Sequence, residues 1–390
     1  MKVLFYLPVV TPWWFDCVIE PLIRTLATEC EVHVLAPAPW RGTGIGPREL
    51  ARCVDLPDIR WYSMDGADHP STRTVPEART DIVAFVRDLA PDYTLCRSAD
   101  HETVRAFPGT ARLLMEGRLE PFAPPPHWFL FADRSHDYGI LPALSQDERD
   151  TLARLIEPAW TRLHERYAKR EGDRTRVFAR CGIPDDRRVL LMPLEVESED
   201  NFFDMYRVGA RPNHRLVADL AERVGPGFTL AVTNHPINDK LVDSAPLIAT
   251  IAELDNVVLA PPAIGNLPAT LALARHADGM ILGDSKTYAL GAFFGVPMLR
   301  RTQFETGAWL NSHSDLDRFL PAVAAGEAVA PSPEDARLWF GFYMANQLLD
   351  PRAPGVTAEQ ILAHMDQPLD SGRWEAGIAR LRQAKPELFA

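Results

Sequence analysis

Short, uninterrupted apolar runs, each followed by a stretch with apolar residues at helical spacing, most restrict what this chain can fold into. Residues 3–7 (Val3-Leu4-Phe5-Tyr6-Leu7) are one such run, and residues 16–27 then carry Val18, Ile19, Leu22, Ile23 and Leu26 on one helical face. Residues 32–36 form the next run. A strand without polar alternation is buried on both faces, and parallel strands need a helical crossover, so the chain opens with a β-α-β unit. The same reading predicts strands at 93–96 and 112–115, with a helix at 80–89 before them.

The second half repeats the alternation. Strands are predicted at 188–194, 228–233, 257–260, 279–282 and 296–299, and helices at 214–224, at 267–275 and from Tyr288 onward. Between the halves, Leu152, Leu155, Ile156, Trp160, Leu163 and Tyr167 mark a long helix and connector, closed by the turn cluster Gly182-Ile183-Pro184-Asp185-Asp186. A chain of 390 residues exceeds what a single core usually holds. The expected division is an N-terminal domain over 1–180 that includes the connector helix, a second domain over 181–345, and helices over 346–390 that pack back on the first. Two Rossmann-like, doubly wound α/β domains facing each other across a cleft form the GT-B architecture, with ligands beyond the carboxyl ends of the strands.

Charge narrows the partners. A formal net charge of −12 argues against nucleic acid, whose phosphates call for clustered Lys and Arg. The five cysteines are scattered, without CxxC pairs, which fits a reducing cytoplasm rather than a disulfide framework or structural zinc. No apolar stretch reaches the ~18–20 residues of a membrane span, and the apolar N-terminus meets Pro8 and Pro12-Trp13-Trp14 instead of a cleavage site.

Chemistry is sought at the strand ends. The 279–282 strand runs into Gly283-Asp284-Ser285-Lys286-Thr287, where hydroxyls, amides and a lysine either bind an anion or simply cap the next helix. The 228–233 strand ends in Asn234-His235-Pro236; His235 either hydrogen-bonds a phosphate or sugar carboxylate, or satisfies a loop carbonyl. Glu195, Glu197, Glu199 and Asp200 crowd the end of the 188–194 strand, as a solvated acidic loop or as a carboxylate for a cationic transition state. Glu116, before Gly117-Arg118, is either a general base or the ion-pair partner of Arg118 or Arg97. Three features are discounted. Gly42-Thr43-Gly44-Ile45-Gly46 lacks GxGxxG spacing, Asp315-Leu316-Asp317 reads as a helix cap rather than a metal-binding DxD, and Trp13-Trp14 reads equally as packing or as a stacking platform.

Taken together, Pro193-Leu194-Glu195-Val196 with its acids, Asn234-His235-Pro236, Asp284-Ser285-Lys286-Thr287 through Gly295-Val296-Pro297, and Glu116-Gly117-Arg118 resemble the signature blocks of the bacterial capsule-synthesis β-Kdo transferases. The resemblance runs in order over roughly 1–345, and the opening Leu4-Phe5-Tyr6-Leu7-Pro8 is similar to the branch found in lipopolysaccharide O-antigen synthesis. It implies a GT-B fold and retaining transfer of Kdo from CMP-β-Kdo to a lipid-linked or oligosaccharide acceptor, with no metal or other cofactor. It makes 1–180 the acceptor side and 181–345 the CMP side. His235 and Asn234 would contact the donor, Ser285, Lys286 and Thr287 the CMP phosphate, with Arg118 a further donor-binding candidate. Glu116 would be the acceptor base and Asp200 the nucleophile, with Glu199 the alternative; the family usually has Gln where Glu195 stands. The implied setting is cytoplasmic, peripheral to the inner membrane or to polysaccharide-assembly partners. The competing readings are a transferase using CMP-sialic acid or a UDP-sugar, and a non-catalytic nucleotide-sugar binding module.

Overall fold

The computed structural model describes residues 1–40, 42–64, 79–170, 173–184, 186–197 and 205–390. They form two compact units, the first made of Met1–Arg118, Ala123–Ser135 and Phe342–Ala384, the second of Leu119–Phe122, His136–Gly341 and Lys385–Ala390. Each holds a doubly wound parallel sheet, and the pair of Rossmann-like units is the GT-B pattern.

The first unit contains β1 (Lys2–Tyr6), β2 (Glu31–Pro37), β3 (Arg60–Met64), β4 (Tyr93–Cys96), β5 (Thr110–Glu116) and β6 (Phe129–Ala132), in the order β3-β2-β1-β4-β5-β6. All neighbours are parallel except β6, which runs antiparallel on β5. The continuous apolar run of β1 follows from its place between two helical layers. Val3 and Phe5 face one core with Ile19, Leu22 and Ile23 and with Ile361 and Met365 of the helix Ala358–Asp366. Leu4 and Tyr6 face the other, with Ile82, Val83 and Val86 of the helix Thr80–Leu89. Each such aliphatic or aromatic side chain stabilises the fold by about 1.5–3 kcal/mol. Neither β3 nor β6 is foreseen from the sequence pattern.

The second unit contains β7 (Arg188–Pro193), β8 (Phe228–Thr233), β9 (Val257–Leu259), a two-stranded hairpin of β10 (Ala263–Ile264) and β11 (Leu267–Pro268), β12 (Gly279–Leu282) and β13 (Met298–Arg300). Its main sheet has the order β13-β12-β7-β8-β9, parallel throughout. Leu190 and Met192 pack with Val217 and Leu220 of the helix Asn213–Val224. The helix Tyr288–Phe294 ends at Gly295, whose φ of 66° is the left-handed cap that glycine adopts without a Cβ clash.

The first expected boundary needs correction. The chain leaves the first unit after Ser135, not near residue 180, and returns to it at Phe342. The long helix Gln146–Arg170 belongs to the second unit because its aromatic face joins that core. The Trp160 ring lies 4.8 Å from Phe293 and 5.8 Å from Phe340, and Tyr167 lies 5.7 Å from Phe294. Amphipathic spacing shows that such a helix must bury one face; it does not say against which core.

Strand order locates the ligand-binding edge of each sheet. In the first unit the chain builds β2 and β3 on one side of β1 and then crosses to β4 on the other. In the second it builds β8 and β9 on one side of β7 and then crosses to β12. Open parallel sheets bind ligands at this switch point, beyond the carboxyl ends of the two strands. These ends are residues 7–14 and 97–100 in the first unit, and 194–197 and 283–287 in the second.

Candidate functional site

In the second unit, the switch point is closed by a carboxylate. Glu195, two residues beyond β7, accepts the Asp284 amide on Oε1 at 2.8 Å. Gly283 makes room for it, since a Cβ there would lie 2.2 Å from Glu195 Oε2. Arg207, whose side chain is 2% exposed, stands 3.9 Å from the same carboxylate and donates to Asn213 Oδ1. The Glu195 carbonyl accepts from Asn213 Nδ2 at 3.1 Å and from Asn238 Nδ2 at 2.9 Å, and Glu197 Oε2 accepts the Asn213 amide at 2.6 Å.

Asn238 carries the web on to β8. It donates to Asn234 Oδ1 at 3.0 Å, and the same oxygen accepts the His235 amide at 3.0 Å. Asn234 Nδ2 donates to Asp239 Oδ1 at 2.6 Å. His235 is half-buried, and its Nδ1 accepts the Ile237 amide at 3.2 Å. Since Nδ1 is the acceptor, the neutral ring carries its proton on Nε2, and that edge is a donor.

Beyond β12, Asp284 accepts from Thr302 Oγ1 at 2.5 Å and from Arg300 Nη2 at 3.4 Å. Burial raises its pKa to about 6, and the Glu195 charge adds to this, while the Thr302 bond and Arg300 oppose it. Arg300, with 1% of its side chain exposed, also holds Thr306 Oγ1 at 2.6 Å and the His136 carbonyl at 3.3 Å, and lies 4.8 Å over the Tyr138 ring. Ser285 Oγ and Thr287 Oγ1 are 2.9 Å apart, and Ser285 Oγ accepts the Thr287 amide at 3.3 Å. Lys286 lies between these hydroxyl residues, half-buried.

The first unit's switch point is built differently. Arg97, the residue after β4, lies with Cζ 4.1 Å from the Trp14 ring centroid and donates Nη1 to the Leu114 carbonyl at 3.4 Å. Burial pushes this guanidinium down to about 10, with the Glu116 charge opposing. Glu116 ends β5 opposite Phe129 of β6. Gly117 follows because the backbone is crowded there; a Cβ would meet Leu348 Cδ2 at 2.7 Å and the Trp128 carbonyl oxygen at 2.8 Å. Tyr343 Oη donates to the Gly117 carbonyl at 3.1 Å. Arg118 is exposed.

The structure thus brings Asn234, His235, Ser285, Lys286 and Thr287 to the strand ends of the second unit, while Glu116 and Arg118 lie in the first. Asp200 and Glu199 lie outside the described residues. The Glu116 charge acts on Arg97. Asp315 caps the helix Leu316–Ala325 by accepting the Asp317 amide at 2.9 Å, so the DxD pattern has a capping role. Sequence reading missed the roles of Gly283, Arg207, Arg300 and Thr302, and treated Arg97 only as a partner for Glu116. The signal available for Gly283 was a glycine directly after a buried strand. Arg207 and Arg300 carry no local signal. Among the described residues no helix is long and apolar enough to cross a membrane.

No family model matches the chain, and no curated protein matches it in sequence. Among solved structures it is similar to KpsC of Thermosulfurimonas dismutans, described as a beta Kdo 2,7 transferase, at 11% identity over 94% of this chain and 98% of that one, with a TM-score of 0.49. The KpsC beta Kdo 2,4 transferase of the same organism is similar at 10% identity over 87% and 89%, with a TM-score of 0.42. UDP-GlcNAc 2-epimerase from Neisseria meningitidis, bound to UDP-GlcNAc, is similar at 15% identity over 86% and 97%, with a TM-score of 0.31. The fold assignment made above rests on the strand orders of the two sheets.

Proposed function

We propose that this chain is a glycosyltransferase that holds a nucleotide-sugar at the β7, β8 and β12 strand ends, and that the sugar moved is Kdo from CMP-β-Kdo. The observation that carries the reading is the single hydrogen-bond web that joins the three loops at the topological switch point, from Asn234 through Asn238 and Glu195 to the Asp284 amide. Such a web fixes donor positions before a ligand arrives, which is what an anionic leaving group requires. The choice of CMP-β-Kdo is supported by the motif blocks alone.

In this reading Lys286 and the Ser285 and Thr287 hydroxyls take the phosphate, while His235 Nε2–H and Asn234 contact the donor, with Arg118 a further donor contact. Asp200 attacks the anomeric carbon as the bond to the phosphate oxygen breaks, and CMP leaves with the electron pair. An acceptor hydroxyl then attacks the same carbon, Glu116 takes its proton, and the ester bond to Asp200 breaks. Two displacements retain the β configuration. No metal is assigned to either step. The acceptor is a glycan, lipid-linked in the fullest form of the reading, which places the enzyme at the cytoplasmic side of a membrane.

Thermal unfolding with CMP, UDP and GDP tests the donor, since a ligand that binds only the folded state raises the midpoint. CMP should give the largest rise; an equal or larger rise with UDP would sink the cytidine assignment. Intact-mass spectrometry during turnover of CMP-Kdo tests the chemistry. A mass increase of one Kdo, absent in Asp200→Asn, is expected, and an unchanged mass would count against double displacement.

A further inference from the structure

A second group of basic side chains lies in the C-terminal part of the first unit. The helix Trp374–Ala384 packs so closely on the preceding chain that a Cβ at Gly377 would lie 2.0 Å from the Ala345 carbonyl oxygen. Arg373, at the start of this helix, and Arg380 flank Gly377 on the same face, since positions three, four and seven apart share a side. Arg373 donates Nε to Asn346 Oδ1 at 3.2 Å and Nη2 to the Gln367 carbonyl at 2.8 Å. Arg380 donates Nη2 to the Leu348 carbonyl at 3.4 Å. Both guanidiniums therefore converge on residues 346–348.

Neither arginine forms an ion pair among the described residues. The acids that each senses are committed elsewhere. Asp370 accepts the Gly372 amide at 2.9 Å, and Asp350 pairs with His127 at 3.3 Å. His364 is the third member. Its Nδ1 donates to the Gln360 carbonyl at 2.9 Å, and its Nε2 is buried with no hydrogen-bond partner among the described residues. Burial first, and then Arg373, hold His364 down to about 4, with Arg380 adding to the effect. Both arginines are half-buried, and burial lowers their pKa, that of Arg373 to about 10.

Half-burying two neighbouring guanidiniums without a direct ion pair is costly, and an oxyanion relieves the cost. Their planar forks suit pairs of phosphate oxygens. We infer that Arg373 and Arg380 form a binding site for a diphosphate group, distinct from the strand-end residues assigned to the donor. The inference does not depend on the donor reading. The diphosphate is carried either by a soluble molecule or by a lipid.

The test uses the full chain with 15N-labelled tryptophan and inorganic pyrophosphate as the probe. Trp374 Nε1–H donates to Asn346 Oδ1 at 3.0 Å, on the same oxygen that Arg373 holds, so its indole signal reports on this site. Trp374→Phe assigns the signal. A saturable shift is expected, weakened about tenfold in Arg380→Gln, the loss typical of one charge-assisted contact, and largely kept in Arg380→Lys. Arg380 is the residue to change because its one side-chain hydrogen bond among the described residues, to the Leu348 carbonyl, leaves the Asn346 hub intact. No shift in the unaltered chain, or an equal shift in Arg380→Gln, would overturn the inference. Pyrophosphate bound at the donor residues would not move this signal. Cosedimentation with phosphatidylcholine vesicles containing a polyprenyl diphosphate, dependent on Arg380, identifies a lipid source. A pyrophosphate response without such cosedimentation identifies a soluble one.

Discussion

The two switch points share a topology and differ in what closes them. In the second unit a carboxylate, Glu195, is set against a backbone amide under a glycine and tied to a chain of asparagines. In the first, a guanidinium, Arg97, lies on an indole and reaches a carbonyl. A web of short hydrogen bonds around buried polar groups has one low-energy arrangement, because each unmet bond in it costs about 1–3 kcal/mol. A cation over an aromatic face has a broad minimum. The second unit therefore has a rigid polar frame at its switch point, and the first a cation packed on a buried aromatic ring.

The sharpest way to break this contrast is Glu195→Ala. It strips the carboxylate from the Asp284 amide and from beside the nearly buried Arg207, a loss of about 3–5 kcal/mol for a buried charge losing its partner. Glu195→Gln keeps an oxygen for the amide and should cost roughly half as much. Urea denaturation of both variants measures the difference. A Glu195→Ala chain within about 0.5 kcal/mol of the unaltered one would show that the frame is a solvated loop.

How much of this was legible beforehand depends on the range of the interaction. The bounds of β4, β8 and β12 follow from apolar runs, because burial on both faces imprints a local pattern. So does the placement of Asn234, His235 and Ser285 at strand ends. The pairing of Glu195 with the Asp284 amide spans 89 positions and leaves no local mark. Nor does the stacking of Arg97 on Trp14, two residues that only the strand order brings together. The edge strand β6 is a four-residue run beyond a proline-rich stretch, too short to distinguish from a loop by periodicity.

A second test uses pH. The Asp284 carboxyl, raised to about 6 by burial, keeps its proton over a range where the unfolded chain, with a carboxyl near the ordinary 3.8, has lost it. The folded state binds more protons between those values, so stability falls as pH rises from about 4 to about 6, by on the order of 3 kcal/mol. Asp284→Asn should flatten that part of the curve. The first unit contributes to the same slope through Asp100, also raised by burial and held by Thr103 at 3.1 and 2.6 Å. The quantity to measure is therefore the difference between the two chains in denaturant midpoint at each pH. A slope unchanged by Asp284→Asn would place the titrating group outside the second unit's switch point.

In the first unit the expected effects are smaller. Arg97→Gln removes the cation beside Glu116, and if this surface receives the acceptor, its KM should rise about tenfold, the size of one charge-assisted contact. The donor KM should stay level. A rise in donor KM instead would assign Arg97 to the nucleotide and dissolve the division of labour between the units.

The smallest effect isolates the Arg97–Trp14 contact itself. Trp14→Leu, Arg97→Gln and the double variant form a cycle whose coupling energy reports the cation–π interaction without the cavity that the leucine leaves. A value of about 0.5–2 kcal/mol is expected, toward the upper end because Trp14 is only 8% exposed. Trp13 supplies the internal control. It is 41% exposed and meets Trp14 edge-on at 6.0 Å, so Trp13→Ala should change stability by no more than about 0.5 kcal/mol. If Trp13→Ala nevertheless lowers acceptor affinity, the exposed ring acts on the ligand and the buried one on Arg97. Adjacent tryptophans in one helical turn would then do separate work, one holding the cation in place and the other meeting the sugar.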